Sequence, residues 1–172
     1  HGMRILGIDP GVATVGFGIL EADGMHQRML SCGVITTQAH TPLSSRLDRI
    51  YTDLEELIRS CNPDAISIEE LFFSKNITTG IPVAHARGVV LLCAFRCGVP
   101  VYEYTPMQVK QAVTGYGKAV KKQVQEMTLV LLHLPAIPKP DDTADALAMA
   151  ITFCRTNGSQ LNRFVRRVPG PI

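Results

Sequence analysis

The alternation of hydrophobic and polar positions predicts a run of strands followed by alternating helices and strands. Apolar runs joined by short turns predict three antiparallel strands, over residues 4–9, 14–20 and 27–36. Apolar residues spaced three and four apart then predict a helix that begins at Thr41-Pro42, and residues 64–69 predict a fourth strand. A helix over 82–95, a fifth strand over 99–104 and further helices follow. The pattern therefore predicts an α/β fold with a mixed five-stranded sheet, three antiparallel strands then two parallel, flanked by helices.

The length and composition indicate one globular domain. The chain has 172 residues, 46% of them hydrophobic, and no internal repeat or domain boundary interrupts the pattern. We assign the domain to residues 3–155, and we interpret residues 156–172 as a mobile tail and residues 1–2 as a tag remnant. The longest apolar run, residues 89–95, is far shorter than the about 20 residues that a membrane span needs.

Cysteine usage and charge restrict the cellular setting and the class of partner. Five cysteines, an odd number without a Cys-x-x-Cys pair, predict free thiols in a reducing cytoplasm. The net charge of +2 says little about partners, but residues 104–125 contain no Asp or Glu. That stretch contains four lysines, namely Lys110, Lys118, Lys121 and Lys122. Lysines without counter-charges favour a surface that faces phosphate groups, although an ordinary solvated lysine face has the same composition.

Several carboxylates stand where strands end or the last helix begins. Asp9 follows a buried strand at a Pro-Gly turn, where it either caps the turn or binds a cation. Glu69-Glu70 ends the fourth strand, and periodicity alone does not decide which of the two faces inward. Asp142 and Asp145 share one face of the last helix. Asp141 or Asp142 suits an N-cap, whereas Asp145 lies inside the helix beside its buried stretch.

These carboxylates meet at one edge of the sheet if the first and fourth strands are neighbours. Carboxylates crowded together repel one another unless cations neutralise them, and Mg²⁺ prefers oxygen ligands. Two such ions about 3.5–4 Å apart promote phosphodiester hydrolysis by activating water and stabilising the leaving oxygen. Asp9 is our candidate for the ligand shared by both ions.

A predicted loop after the fourth strand carries two aromatic residues and a lysine. An exposed aromatic ring beside a basic side chain suits base stacking, and Phe72 with Lys75 is our candidate for this role. Phe73 is more typical of a core residue.

Four motifs together resemble the bacterial RuvC Holliday-junction resolvases. They are Gly7-Ile8-Asp9-Pro10-Gly11, Ile68-Glu69-Glu70 followed by Phe72, Met107-Gln108-Val109-Lys110-Gln111, and Asp142-x-x-Asp145-Ala-Leu-Ala. They occur in the family's order between about residues 3 and 154. Each motif alone is weak, and the specificity lies in their combination.

The resemblance implies a ribonuclease-H-like fold and a homodimeric endonuclease that resolves four-way DNA junctions by paired symmetric nicks, in recombination and repair. It implies that two Mg²⁺ ions, for which Mn²⁺ can substitute, are held by Asp9, Glu69, Asp142 and Asp145. Asp141 beside Asp142 leaves the ligand at the helix start open.

The resemblance also implies the surfaces that contact partners. Phe72 stacks on an unpaired base, and Lys110 and Lys121 contact DNA, whereas Lys118 and Lys122 match no family position that we can assign. The helix from Pro82 forms the dimer interface. The RuvA–RuvB branch-migration machinery is the expected protein partner.

Three other functions compete with this interpretation. A ribonuclease-H-type nuclease that acts on another nucleic acid would use the same metal site. A junction-binding module without catalysis would use the lysines but would leave Asp145 without a role. An actin-like sugar kinase or ATPase has a similar Gly-Ile-Asp-Pro-Gly loop, but it needs two lobes and a second phosphate loop.

Overall fold

The computed structural model describes residues 2–24, 26–71 and 77–156, which form five strands and five helices. In chain order these are β1 (Met3–Asp9), β2 (Thr14–Asp23), β3 (His26–Thr36), α1 (Leu43–Cys61), β4 (Ala65–Glu69), α2 (Ile77–Arg96), β5 (Val101–Tyr104), α3 (Pro106–Thr114), α4 (Lys121–Leu131) and α5 (Asp141–Thr156). The predicted mobile tail lies outside the described residues, except for Thr156, where α5 ends.

The five strands form a single sheet in the order β3-β2-β1-β4-β5. The β1–β2 and β2–β3 pairs are antiparallel, and the β1–β4 and β4–β5 pairs are parallel. The predicted mixed sheet of three antiparallel and two parallel strands is therefore confirmed. Because β1 and β4 are parallel neighbours, their carboxyl ends reach the same edge of the sheet.

The sheet separates two hydrophobic clusters. One cluster joins α1 and α2 to the side chains of Leu6, Ile8, Ile66 and Ile68, and the other joins α3, α4 and α5 to those of Ile5 and Ala65. Successive side chains of a strand point to opposite faces. The face that α5 covers therefore carries the odd-numbered residues of β1 and β4, which include Ser67, whose hydroxyl donates to the Met149 carbonyl at 2.6 Å.

Two helices begin at different residues from those predicted. α1 begins at Leu43, and the Thr41 hydroxyl donates to the Gln38 carbonyl instead of capping the helix. α2 begins at Ile77 rather than at Pro82, which lies inside the helix. Proline has no N–H to give to the preceding turn, so this helix continues with one backbone hydrogen bond missing.

The structure also bears on the cysteines and on membrane-spanning helices. All five cysteines are free thiols, as predicted. Across the residues that the structure describes, no helix has both the length and the apolar character that crossing a bilayer requires.

Candidate metal centre and active site

Strand alternation places the first two candidate carboxylates on the same face and at the same edge of the sheet. Asp9 ends β1 and shares its face with Ile5 and Gly7, while Glu69 ends β4 and shares its face with Ala65 and Ser67. Both side chains thus face α5. Glu70 follows the strand, and its amide donates to the Tyr104 carbonyl at 2.7 Å.

Glycines in β1 and β2 let the start of α5 lie directly on the sheet. A Cβ atom built on Gly7 would collide with the Ala146 carbonyl oxygen, and one built on Gly16 would collide with the Asp142 carbonyl oxygen. Gly16 is the cross-strand partner of Asp9. The absent side chain of Gly16 therefore lets Asp142 come next to Asp9.

Three of the four candidate carboxylates converge closely. Ligand oxygens of Asp9, Asp142 and Asp145 all lie within 4.8 Å of one another, and all three residues are partly buried. Within the described ranges, no other group of three or more His, Cys, Asp or Glu side chains is close enough to share an ion. This carboxylate trio does not include Glu69. The charge of Glu69 nevertheless raises the pKa of Asp9, and the charge of Asp145 raises the pKa of Glu69.

Burial and mutual repulsion make the ionised carboxylates unstable in the absence of a cation. Burial, the Asp145 and Asp142 carboxylates, a hydrogen bond with Asp142 and the Glu69 carboxylate raise the pKa of Asp9 from 3.8 to about 8. Burial is also the main cause of the raised pKa of Glu69 and of the raised pKa of Asp145. A bound cation would relieve both effects.

Two of the five predicted DNA-contacting lysines, Lys110 and Lys121, lie beside these carboxylates. The Lys121 Nζ atom is 3.3 Å from Asp145 Oδ2, and the charges of Lys110 and Lys121 oppose the rise in the pKa of Glu69. Burial alone would lower the pKa of Lys121, but the Asp145 and other nearby carboxylates outweigh it and raise that pKa. Lys118 and Lys122 are exposed. Phe72 and Lys75 lie outside the described residues, so their predicted roles stay predictions.

The structure separates Asp141 from Asp142, which the sequence left as alternatives. Asp142 belongs to the carboxylate trio, whereas Asp141 is exposed and its carboxylate contacts Lys139 at 3.3 Å and Lys121 at 3.8 Å. The pKa of Asp141 is lowered, first by a hydrogen bond from Lys139 and then by the positive charge of Lys139. Sequence reasoning missed Lys139, although a lysine two residues from an aspartate was a visible signal.

The donor set suits a hard divalent cation. All members of the carboxylate trio, and Glu69 beside it, offer oxygen, and the lysines compensate only part of the negative charge. Mg²⁺ and Mn²⁺ prefer such oxygen ligands, while zinc sites use mainly His and Cys. The arrangement therefore fits metal-assisted hydrolysis of a phosphodiester next to lysines that attract phosphate.

The raised pKa of Asp9 predicts that the metal-free protein loses stability as pH rises. Because Asp9 binds its proton more tightly in the folded chain than in the unfolded chain, its contribution to stability is fully present below pH 3.8 and is lost as pH rises towards about 8. Between pH 5.5 and 8.5 we expect a loss on the order of 2 kcal/mol, or about 5 °C in Tm.

Thermal unfolding in a chelator at several pH values measures this loss. Asp9→Asn removes the titrating group, so its profile should be flatter, and saturating Mg²⁺ should flatten the wild-type profile because it binds the ionised carboxylates. A wild-type Tm that is independent of pH in the chelator would contradict the prediction.

Comparison with known proteins identifies the family. The family model described as "Crossover junction endodeoxyribonuclease RuvC" matches residues 5–153. A relative of the same name from Brevibacillus brevis is 57% identical over 153 residues, which cover 89% of this chain and 92% of the relative. Another, from Heliobacterium modesticaldum, is 56% identical over 149 residues, 87% of this chain and 92% of the relative.

Solved structures agree with this assignment. A structure of Thermus thermophilus RuvC in complex with a Holliday junction substrate matches with a TM-score of 0.86 at 38% identity, covering 92% of this chain and 97% of that chain. The yeast mitochondrial Holliday junction resolvase matches with a TM-score of 0.66 at 16% identity, covering 95% of this chain and 82% of that chain, and shares the fold. The predicted ribonuclease-H-like fold is thus confirmed, and the chain belongs to the RuvC family of crossover junction endodeoxyribonucleases.

Proposed function

We propose that this protein is a metal-dependent endonuclease that resolves four-way DNA junctions by paired symmetric nicks, in recombination and repair. The observation that carries the proposal is the convergence of Asp9, Asp142 and Asp145 within 4.8 Å at the carboxyl edge of the sheet. Membership of the RuvC family, whose named relatives are crossover junction endodeoxyribonucleases, supports the reaction and the substrate. The junction bound by the Thermus thermophilus relative supports the same substrate.

The carboxylate trio and Glu69 hold two Mg²⁺ ions, for which Mn²⁺ can substitute. The bound cations would supply an activated water for attack on the scissile phosphate and a positive charge to stabilise the leaving oxygen, which would give 5′-phosphate and 3′-hydroxyl ends. Asp9 would be the ligand that both ions share, which its electrostatic coupling to Asp142, Asp145 and Glu69 supports. The trio's partial burial limits the access of water and strengthens every charge interaction inside the site.

The lysines and the loop aromatic bind and orient the DNA. Lys110 and Lys121 contact phosphates next to the scissile bond, which their proximity to Glu69 and Asp145 supports. The exposed Lys118 and Lys122 extend the same basic stretch. Phe72 stacks on an unpaired base near the crossover, and Lys75 binds a phosphate beside it.

Two copies of the chain act together, since paired cuts in a junction with two-fold symmetry need two equivalent active sites. The helix α2 supplies the interface. Its side chains Ile81, Leu92 and Phe95 are 48%, 53% and 67% exposed and lie on one face of the helix. Gly88 lies on the same face, and a Cβ atom added there would meet open space. Contact with the RuvA–RuvB machinery and a cytoplasmic location stay predictions.

A nicking assay tests the function directly. The substrates are a labelled four-way junction, a linear duplex of the same sequence and an RNA–DNA hybrid, each with Mg²⁺ or with a chelator. We expect paired nicks in the junction alone and only with Mg²⁺. Cleavage of the hybrid but not of the junction would keep the metal centre and overturn the substrate, and binding without cleavage on junctions of varied sequence would overturn catalysis.

A further inference from the structure

Lys121 is shared between two carboxylates that lie one helical turn apart. Its Nζ atom lies 3.3 Å from Asp145 and 3.8 Å from Asp141. Residues four apart occupy the same helix face, so α5 presents both carboxylates to the first residue of α4. Only Asp145 belongs to the carboxylate trio, whereas Asp141 stands outside it.

Divalent cations at the trio would weaken one of these two contacts. A ligated Asp145 shares its charge with the cation, and the same cation repels the Lys121 ammonium group. Asp141 lies outside the carboxylate trio, so it keeps its full charge and attracts Lys121 both with and without bound cations. Without Asp141, the bound cations would push the Lys121 side chain away from the centre.

Lys139 provides a second cation on the other side of Asp141, at 3.3 Å. The Lys139 side chain is 74% exposed, and among the described residues it forms an ion pair with Asp141 and with none of the candidate ligands. Its charge offsets that of Asp141, which limits repulsion between Asp141 and the phosphates of an approaching DNA strand.

We propose that Asp141 is a positioning residue that keeps Lys121 beside the carboxylate centre when divalent cations occupy it. The proposal rests on the proposed function of this centre and concerns a carboxylate outside the assigned ligand set. Lys121 can then meet the scissile phosphate without first being recruited from solvent. The pair is exposed, with Lys121 at 59% and Asp141 at 51%, so the expected effect is modest in the free protein and larger under bound DNA, which excludes water.

Chemical modification measures the position of Lys121 without DNA or catalysis. Wild type, Asp141→Asn, Asp141→Glu and Lys139→Ala are treated with a limiting amount of an acetylating ester, with and without Mg²⁺. Mass spectrometry gives acetylation of Lys121 relative to the exposed Lys118. With Mg²⁺ we expect Asp141→Asn to raise this ratio about threefold, and we expect Asp141→Glu and Lys139→Ala to stay near wild type. An unchanged ratio in Asp141→Asn, or an equal rise in Lys139→Ala, would overturn the proposal.

Single-turnover nicking then tests the consequence for the reaction. Asp141→Asn should slow nicking when Lys121 is present and should have no further effect in a Lys121→Ala background, while junction affinity changes little. Independent, additive effects of the two substitutions would overturn the proposal. If the wild type cuts no junction at all, the proposed function fails, while the acetylation ratio still tests the contact between Asp141 and Lys121.

Discussion

Replacing Asp9 with Asn is expected to slow junction cleavage by about 1,000-fold or more, which corresponds to about 4 kcal/mol of activation free energy. Asp9 is the carboxylate to which Asp142, Asp145 and Glu69 are all electrostatically coupled, and the amide removes the charge that binds the cations in the proposed centre. Junction affinity should stay within about threefold of wild type, because the lysines are untouched and the lost charge repelled phosphate.

Single-turnover nicking of a labelled junction and a binding titration in Ca²⁺ separate these two effects. Asp48→Asn is the matched control, since Asp48 is an exposed aspartate on α1, which packs on the opposite face of the sheet. That variant should cut at the wild-type rate. Cleavage by Asp9→Asn within tenfold of wild type would show that the centre is wrongly assigned.

Gly16→Ala is expected to destabilise the protein by about 3 kcal/mol and to lower its Tm by about 6–12 °C. The new methyl group would collide with the backbone carbonyl of Asp142 and would approach its Cβ within 2.9 Å, so the start of α5 must move off the sheet. Asp142 would then move away from Asp9, and the stabilisation by Mg²⁺ should weaken together with the fold.

Calorimetry with and without Mg²⁺ measures both losses. Gly117→Ala is the control for stability, because an added Cβ there meets first the exposed side chain of Met107 at 3.2 Å, which can move. It should change the unfolding free energy by less than about 1 kcal/mol. Equal stability of Gly16→Ala and wild type would mean that α5 does not need this close approach.

The sequence was sufficient to predict the sheet, the position of Asp9 at the end of β1 and the positions of Asp142 and Asp145 near the start of α5. A buried run closed by Pro-Gly predicts both the end of β1 and the position of Asp9. Asp145 stands out because six consecutive apolar residues, 146–151, follow it, and the structure buries all six. In both cases a local pattern determines the position, so no knowledge of distant contacts is needed.

Glu69 could not be separated from Glu70 by periodicity, and the structure gives the physical reason. Residues 65–68 of β4 are all fully buried, because helices cover both faces of this central parallel strand. A strand buried on both faces lacks the alternation of apolar and polar residues that reveals direction. Only the contact partners, α5 for Ser67 and the opposite cluster for Ile66 and Ile68, show that Glu69 faces the carboxylate trio.

The pairing of Lys121 also lay beyond the sequence. A stretch without acidic residues, 104–125, predicted lysines free of counter-charges, yet Lys121 contacts Asp141 and Asp145. These partners come from α5, about twenty residues further along the chain. A local charge pattern describes neighbours in sequence, whereas ion pairs depend on neighbours in space.

The position of α5 at the end of the described fold has a consequence for synthesis. Ribosomes synthesise the chain from its amino terminus, so all five strands leave the ribosome before residues 141–156. Until then β1 and β2 lack the helix that covers their glycines, and two of the four candidate carboxylates are missing. The last helix to be synthesised is therefore the one that covers these glycines and brings Asp142 and Asp145 to Asp9.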